Sequence, residues 1–322
     1  MKVALMIKIF PFFFCLCILI STSHALSQNI HAPQIDTEKQ MEIDAFSKSG
    51  QRAIDVLNQG KYDSKAPPSP GDDALGEQHI LKRKSEYQPF SVFGHLGWNW
   101  TSNVALTKNN PQDDNYLLTT TGVSYQPILL PNLLGEITAM YQWFRYDRFT
   151  DMNFDSFNTG AGLTYVIPAL DQLAISARYN YNRLTDTDGQ GEYYRNNSIT
   201  IGLFKVFQLA RAHYIYAGYS SQFGFADPKV YQRDYHSLFV GYCLDITSNW
   251  SFEGGARASY IPYAENNRED YNESATIGIT YKPRPWISIN LSALAAFNQS
   301  NQSVFEYNMM NISPNIGIKI KF

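Results

Sequence analysis

The feature that most limits this chain is an alternation of apolar and polar residues with period two, repeated along most of its length. Leu173, Ile175, Ala177, Tyr179 and Tyr181 fall on one side of such a run, with Ala174, Ser176, Arg178 and Asn180 on the other. The same rule separates Ile287, Ile289, Leu291, Ala293, Ala295 and Phe297 from Ser288, Asn290 and Ser292. It also separates Ala275, Ile277, Ile279 and Tyr281 from Ser274, Thr276, Gly278 and Thr280. Side chains alternate across a strand, so each run predicts a strand with one apolar face. Twelve runs can be placed, at 88–102, 116–127, 133–146, 154–167, 172–184, 193–207, 211–223, 233–245, 249–261, 271–282, 285–298 and 307–322. Each is long enough to cross a bilayer as a tilted strand, which takes about 9–11 residues.

Short connections at 131–132, 168–172, 208–211, 245–249 and 282–285 alternate with longer, more polar ones at 103–115, 147–153, 185–192, 226–233, 262–270 and 299–306. Short turns on one side and long loops on the other are the pattern of outer-membrane barrels. An even strand number puts both ends of the barrel on the short-turn side, the periplasm. A sheet in hydrocarbon has no water to satisfy an open edge, so the first strand must pair with the twelfth. The expected fold is therefore all-β: a twelve-stranded antiparallel transmembrane β-barrel with a short N-terminal leader, partly helical or disordered.

Composition narrows the class further. Charged residues are 17% of the 322, well under the roughly 25% of an ordinary domain. Aromatics reach 15%, yet mean hydropathy is only -0.30. That excludes a helical membrane protein, which needs apolar runs of about 20 residues. It also argues against a disordered chain, which would be poor in aromatics. A net charge of -3 gives no basic excess, so nucleic acid is not an expected partner.

Residues 1–25 read as a signal peptide: Lys2 and Lys8, an apolar run from Ile9 to Ile20, then Ser23, His24 and Ala25 at the cleavage positions. The run is shorter than a membrane span needs. Cys15 and Cys17 lie inside it, which leaves Cys243 as the cysteine of the mature chain and no intramolecular disulfide. Residues 26–86 form a polar periplasmic leader and linker, and 87–322 the outer-membrane barrel. In the leader, Met41, Ile43, Phe46, Ala53, Ile54, Val56 and Leu57 suit one side of a helix broken near Gly50, and Pro67, Pro68, Pro70 and Gly71 mark a linker. Residues 53–63 also look like part of a helical-repeat unit, but one partial unit cannot bury its own apolar face. The plainest expectation for the leader is a flexible periplasmic segment; a plug in the lumen or a periplasmic protein partner bound through 26–86 is the alternative.

With the apolar rows toward lipid, the opposite rows face the lumen. Trp98, Trp100, Tyr141, Trp143, Trp250, Tyr260 and Trp286 suit aromatic girdles at the membrane interfaces. The lumen rows are mostly small and polar, joined by five candidate charges: Glu136, Arg178, Glu253, Arg257 and Lys319. Each suits an inter-strand ion pair or a solute contact. Eight strands are filled by their own side chains; twelve enclose a wider space that small residues do not fill. The lumen is therefore expected to hold water or another occupant.

No catalytic set stands out. His95 is expected to point inward and His236 outward, and Ser237, adjacent to His236, points to the opposite face, which is wrong for a nucleophile and its base. Acidic pairs such as Asp113 and Asp114 read as solvated loop residues. No phosphate-binding glycine loop or metal-spaced His/Cys set is present. Neither an enzyme nor a cofactor or metal site is expected.

The last run is the sharpest local signal. Ile312, Pro314, Ile316, Ile318, Ile320 and Phe322 alternate with Ser313, Asn315, Gly317, Lys319 and Lys321. Ile316, Ile318, Ile320 and the terminal Phe322 look like the signal that outer-membrane barrels present to the barrel assembly machinery. The segment 97–104 with Ser102, Asn103 and Val104, then Trp286, then Ser300, Asn301, Gln302 and Ser303, then Tyr307 and Asn308 with the closing strand, resemble the bacterial β-barrel porin 2 group over about 88–322. More distantly they resemble the barrels of surface lipoprotein assembly modifiers, whose helical-repeat arrays have no room here. The resemblance implies residence in the outer membrane, among its lipids, and transport. The expected function is a porin-like channel or export conduit for small or linear polar solutes. Its alternative is a non-conducting outer-membrane anchor or assembly protein. Autotransporter barrels also have twelve strands with a helix in the pore, but the leader is too short for a passenger.

Overall fold

A computed structural model describes residues 31–58, 87–187, 189, 191–210 and 212–322. The expected signal peptide at 1–25, the expected linker near 67–71 and the part of the repeat-like segment beyond Asn58 lie outside the described residues.

Twelve long strands form the wall: β1 (Phe90–Thr101), β2 (Asp114–Tyr125), β3 (Leu133–Tyr146), β4 (Phe154–Ile167), β5 (Leu173–Thr185), β6 (Glu192–Ala210), β7 (His213–Asp227), β8 (Tyr235–Asp245), β9 (Trp250–Pro262), β10 (Glu269–Arg284), β11 (Ile287–Ser300) and β12 (Tyr307–Lys321). Each pairs antiparallel with the next, and β1 pairs with both β2 and β12, so the sheet closes on itself. The short strand Ile128–Leu130 folds against the start of β3 within the β2–β3 connection. At the seam the Phe322 N–H donates to the Phe90 carbonyl at 2.8 Å, and the Phe90 N–H donates back at 3.4 Å. Phe322 thus extends the ladder between β1 and β12.

The alternation works as the barrel requires. Ile175, Tyr179, Ile277, Ile289, Leu291, Phe297, Ile316, Ile318 and Ile320 are all exposed on the outside. An apolar band of that extent is far beyond the scattered apolar residues of a soluble surface. Trp98, Trp250 and Trp286 are exposed with it. Tyr141 lies 4.8 Å from Trp143, and Trp250 stacks 4.6 Å from Tyr281, between ring centroids. Glu273 is a charged exception in the outer row, paired in register with Ala258 and Phe297.

Two details depart from the periodicity. β6 and β7 run past 193–207 and 211–223, because their pairing holds from Arg195 opposite Asp227 to Gln208 opposite Tyr214 after the apolar alternation has faded. In β7 the sequence leaves Tyr214 and Tyr216 competing with Ile215, Ala217 and Tyr219 for the outer face. Tyr216 turns inward and is 7% exposed, Tyr214 packs in the same cluster, and Tyr219 is outside. Glycine explains the choice: a Cβ at Gly241 would sit 2.1 Å from the Tyr216 ring, so only glycine lets the phenol cross β8 to donate to Glu253 at 3.0 Å.

Ser102, Asn103 and Asn308, three of the residues that carry the resemblance, meet at the loop end of the same seam. The Asn103 amide, 1% exposed, donates to the carbonyls of Thr107 and Asn308 at 2.8 and 2.9 Å. The Ser102 hydroxyl accepts the Met310 N–H at 2.9 Å.

Candidate functional site: a helix lodged in the lumen

The barrel is not hollow. Two helices, α1 (Ala32–Ser47) and α2 (Ser49–Asn58), lie inside it. The leader expected to be flexible is ordered over this stretch because the polar lumen wall supplies partners that the leader sequence alone does not reveal. The break falls at Lys48, two residues before Gly50, and the Arg52 guanidinium braces it by donating to the Ala45 carbonyl at 2.6 Å. His31, ahead of α1, stacks on Tyr193 at 3.9 Å near the β5–β6 loop. Burial lowers its pKa, against the opposing charge of Asp186. α2 packs near Val166 and Ala174, beside the short β4–β5 connection. The leader therefore enters at the long-loop mouth and leaves at the short-turn mouth, where β1 begins. Sixteen residues make α1 about 24 Å long, close to the height of the apolar band of a barrel.

Its upper end is closed by apolar packing. Ile35 is fully buried among Val104, Tyr116, Phe144, Tyr146, Phe154, Leu184, Tyr194 and Tyr231. Phe144 and Phe154 stack at 4.1 Å within this collar.

Below the collar the grip is polar. Asp36 pairs with Arg233 at 2.5 Å and Asp44 with Arg257 at 2.7 Å. Glu38 and Lys39 are each 2% exposed. Lys39 forms an ion pair with Glu42 on the same helix. Glu42 Oε1 accepts from Gln222 at 2.9 Å, Asn180 at 3.1 Å and Ser198 at 3.3 Å, on three consecutive strands. Glu38 Oε1 accepts from Asn158 at 2.7 Å, while its Oε2 has no hydrogen-bond partner in the protein. Buried charges are tolerated only when paired and hydrogen-bonded, and most of these are.

Phe46 marks the change to an apolar grip. It sits 5.5 Å from Phe204 and over Gly202, where a Cβ would approach it to 2.8 Å. Phe46, Ile54 and Leu57 then bury with Val166, Ala174, Phe204, Tyr216 and Phe239.

The five charges singled out from sequence divide into two pairs and a single residue. Glu136 and Arg178 pair across the wall at 2.5 Å, with Arg178 also donating to Asn180 at 2.6 Å. Glu253 and Arg257 hold the leader: Glu253 meets Lys48 at 2.8 Å, and Arg257 meets Asp44 and Ser274. Lys319 lines a separate cavity of about 230 Å³ with His95, Glu136 and Arg178. Ile316, Ile318, Ile320 and Phe322 form the exposed outer row of β12. Asp36, Glu38, Glu42, Asp44, Arg233 and the amide set Asn158, Asn180 and Gln222 escaped sequence reading. The signal available was an acidic leader with carboxylates at 36, 38, 42 and 44.

The sequence reading also pairs no histidine with a serine, yet cross-strand register brings Ser221 to 3.0 Å from His236 Nδ1, with Tyr219 at 2.7 Å from the serine. The pair sits on the outer face, where the ladder engages the backbone N–H groups that an oxyanion would need. Among the described residues no cluster of three or more His, Cys, Asp or Glu side chains suits a metal ion.

Neither a protein-family model nor a curated protein sequence matches the chain. Solved structures do. An outer-membrane channel from Pseudomonas putida F1 superposes with a TM-score of 0.52 at 9% identity, over 72% of this chain and 96% of that one. The translocator domain of the autotransporter NalP from Neisseria meningitidis gives 0.45 at 9% identity, over 87% and 98%. The KdgM porin gives 0.40 at 8% identity, over 71% and 98%. At such identities the likeness concerns the fold.

Proposed function

We propose that this chain is an outer-membrane channel for polar solutes whose own N-terminal helices close the lumen. The carrying observation is the path of α1 and α2 through the barrel, gripped by Asp36–Arg233, Asp44–Arg257 and Lys48–Glu253. The apolar exterior supports a membrane location, with the long loops outside the cell and 1–25 acting as a removed signal peptide. The row ending at Phe322 serves assembly in this reading, and the likeness to the β-barrel porin 2 group fits it. The chain is read as a conduit and not as an enzyme.

The depth at which Ile35, Glu38 and Lys39 are buried favours a second reading, a permanently plugged barrel that anchors partners. Conductance in planar bilayers separates the two. Full-length protein, protein lacking 31–58, and a cross-linked form are compared. The last carries Ile54→Cys and Ala174→Cys in a Cys243→Ser background, joined by a short bifunctional thiol reagent. The channel reading expects a closed cross-linked form, steady large steps after deletion, and intermittent steps from the full-length chain. Silence from all three, with the barrels folded, overturns it.

A further inference from the structure

The two sides of the lumen differ in chemistry. α1 leans on β4 to β9 and leaves a cavity of about 320 Å³ against β10, β11, β12 and β1. That is inside the range of about 300–1,000 Å³ typical of ligand sites. Its wall residues include Asn99, Thr280, Asn290, Ser292, Asn311 and Asn315, with the Tyr116 ring at the upper end. Met309, Asn311, Ser313 and Asn315 succeed one another along one face of β12, a track of about 20 Å at the usual strand rise.

Charge is absent from this wall. The ionised groups at the border, Asp44, Lys48 and Glu253, come from the helix side and β9. They are neutralised there, Asp44 by Arg257 at 2.7 Å and Lys48 by Glu253 at 2.8 Å. The amides form a cross-strand ladder instead: Asn315 donates to Asn290 at 3.3 Å, and Asn290 donates to Thr280 at 2.8 Å. Amides and hydroxyls both donate and accept. One acceptor is left over. Asn311 is 9% exposed, lines the cavity, and its Oδ1 receives no hydrogen bond from the protein. A buried acceptor left without a donor costs about 1–3 kcal/mol; the Oδ1 is occluded as it stands, so a turn of the Asn311 amide that brings it to a ligand hydroxyl is rewarded.

We infer that the cavity between α1 and the β10–β12 wall is a binding site for a neutral, polyhydroxylated solute, a carbohydrate of one to three rings. The solute's hydroxyls bond to Asn290, Asn315 and Asn311, below the closed collar that holds Tyr116. This deepens the channel reading and rests on it for the meaning of the site, but binding itself needs no conduction. The wall has no cation to hold an acidic sugar, so neutral sugars are selected over anionic ones.

The test uses the cross-linked full-length protein, in which the helices are fixed on the side away from the cavity. Maltotriose and trigalacturonate are titrated into it by isothermal calorimetry. Saturable binding of maltotriose is expected, at least tenfold tighter than trigalacturonate. Asn311→Leu should weaken it by tenfold or more. Asn311→Asp keeps the shape and the acceptor, and should retain maltotriose while repelling trigalacturonate further. Heat-modifiable gel mobility shows that each variant is folded. No saturable maltotriose binding, equal affinity for the anionic sugar, or full affinity in folded Asn311→Leu overturns the inference. Binding without conductance from the 31–58 deletion would leave this site standing and remove the channel reading.

Discussion

The two leader helices are held in the same lumen by different balances of polar and apolar contact, α1 adding a polar grip to the apolar packing of Ile35 and Phe46. α1 carries charge into the barrel and is fixed by ion pairs and amide hydrogen bonds from successive strands. α2 is fixed by an apolar face, with Ile54 and Leu57 set among Phe204, Phe239 and Val166. The difference teaches where specificity and strength reside. Apolar packing is less directional than hydrogen bonding, so α2 contributes chiefly buried area. Directional bonds to Glu42 from Asn180, Ser198 and Gln222 admit one depth and one rotation of α1. α1 sets the register of the plug, and α2 adds holding strength near the short-turn mouth.

Removing the central cation should break this comparison most severely. Lys39→Met leaves Glu42 and Glu38 buried without their neighbouring charge, and breaking one partner of a buried pair costs about 3–5 kcal/mol. Single-channel records should show the open fraction rising steeply, while an unchanged open fraction would mean the ion pair is not part of the grip. Ile54→Ala comes next, at about 3 kcal/mol within the roughly 2–5 kcal/mol range for buried aliphatic truncation. Hydrogen exchange should quicken in α2 first; equal loss of protection in α1 would show that the two helices dock as one unit. Gly202→Leu intrudes on Phe46, the joint between the two modes, and overpacking of this kind costs about 1–3 kcal/mol. A fluorinated phenylalanine at position 46 should report a shifted resonance, and an unmoved one would place the ring elsewhere. Lys48→Ala removes a half-exposed pair with Glu253 and should cost under about 1 kcal/mol. High salt should reduce even that difference, and a large salt-resistant loss would show that Lys48 is more deeply engaged than its exposure indicates.

The wall was far more legible in the sequence than its contents. Period-two runs such as Ile287 to Phe297 carry their own evidence, because strand geometry assigns alternate residues to opposite faces. The apolar face of α2 was visible in the same way from Ile54 and Leu57. Met41, Ile43 and Phe46 announced part of α1 likewise, but its polar grip was hidden, since Asp36, Glu38, Glu42 and Asp44 show no partner locally. Their partners lie more than a hundred residues away: Asn158, Asn180, Gln222, Arg233 and Arg257. Glu136 and Arg178 were picked out as lumen charges, but a single strand does not show that they face each other across β4. The neutral cavity escaped for a related reason. A row of Asn and Ser reads the same whether a helix covers it or leaves it open.

The path of the leader has a kinetic consequence. α2 ends at the same mouth of the barrel where β1 begins, joined to it by roughly 30 residues that span at most about 100 Å. A plug that slips out toward that side remains tethered to its own socket, at an effective concentration on the order of millimolar for a short connection. Return is then a first-order event, independent of how many copies the membrane holds. A soluble inhibitor could be diluted away; on the channel reading, a tethered stopper reseats in the barrel it left.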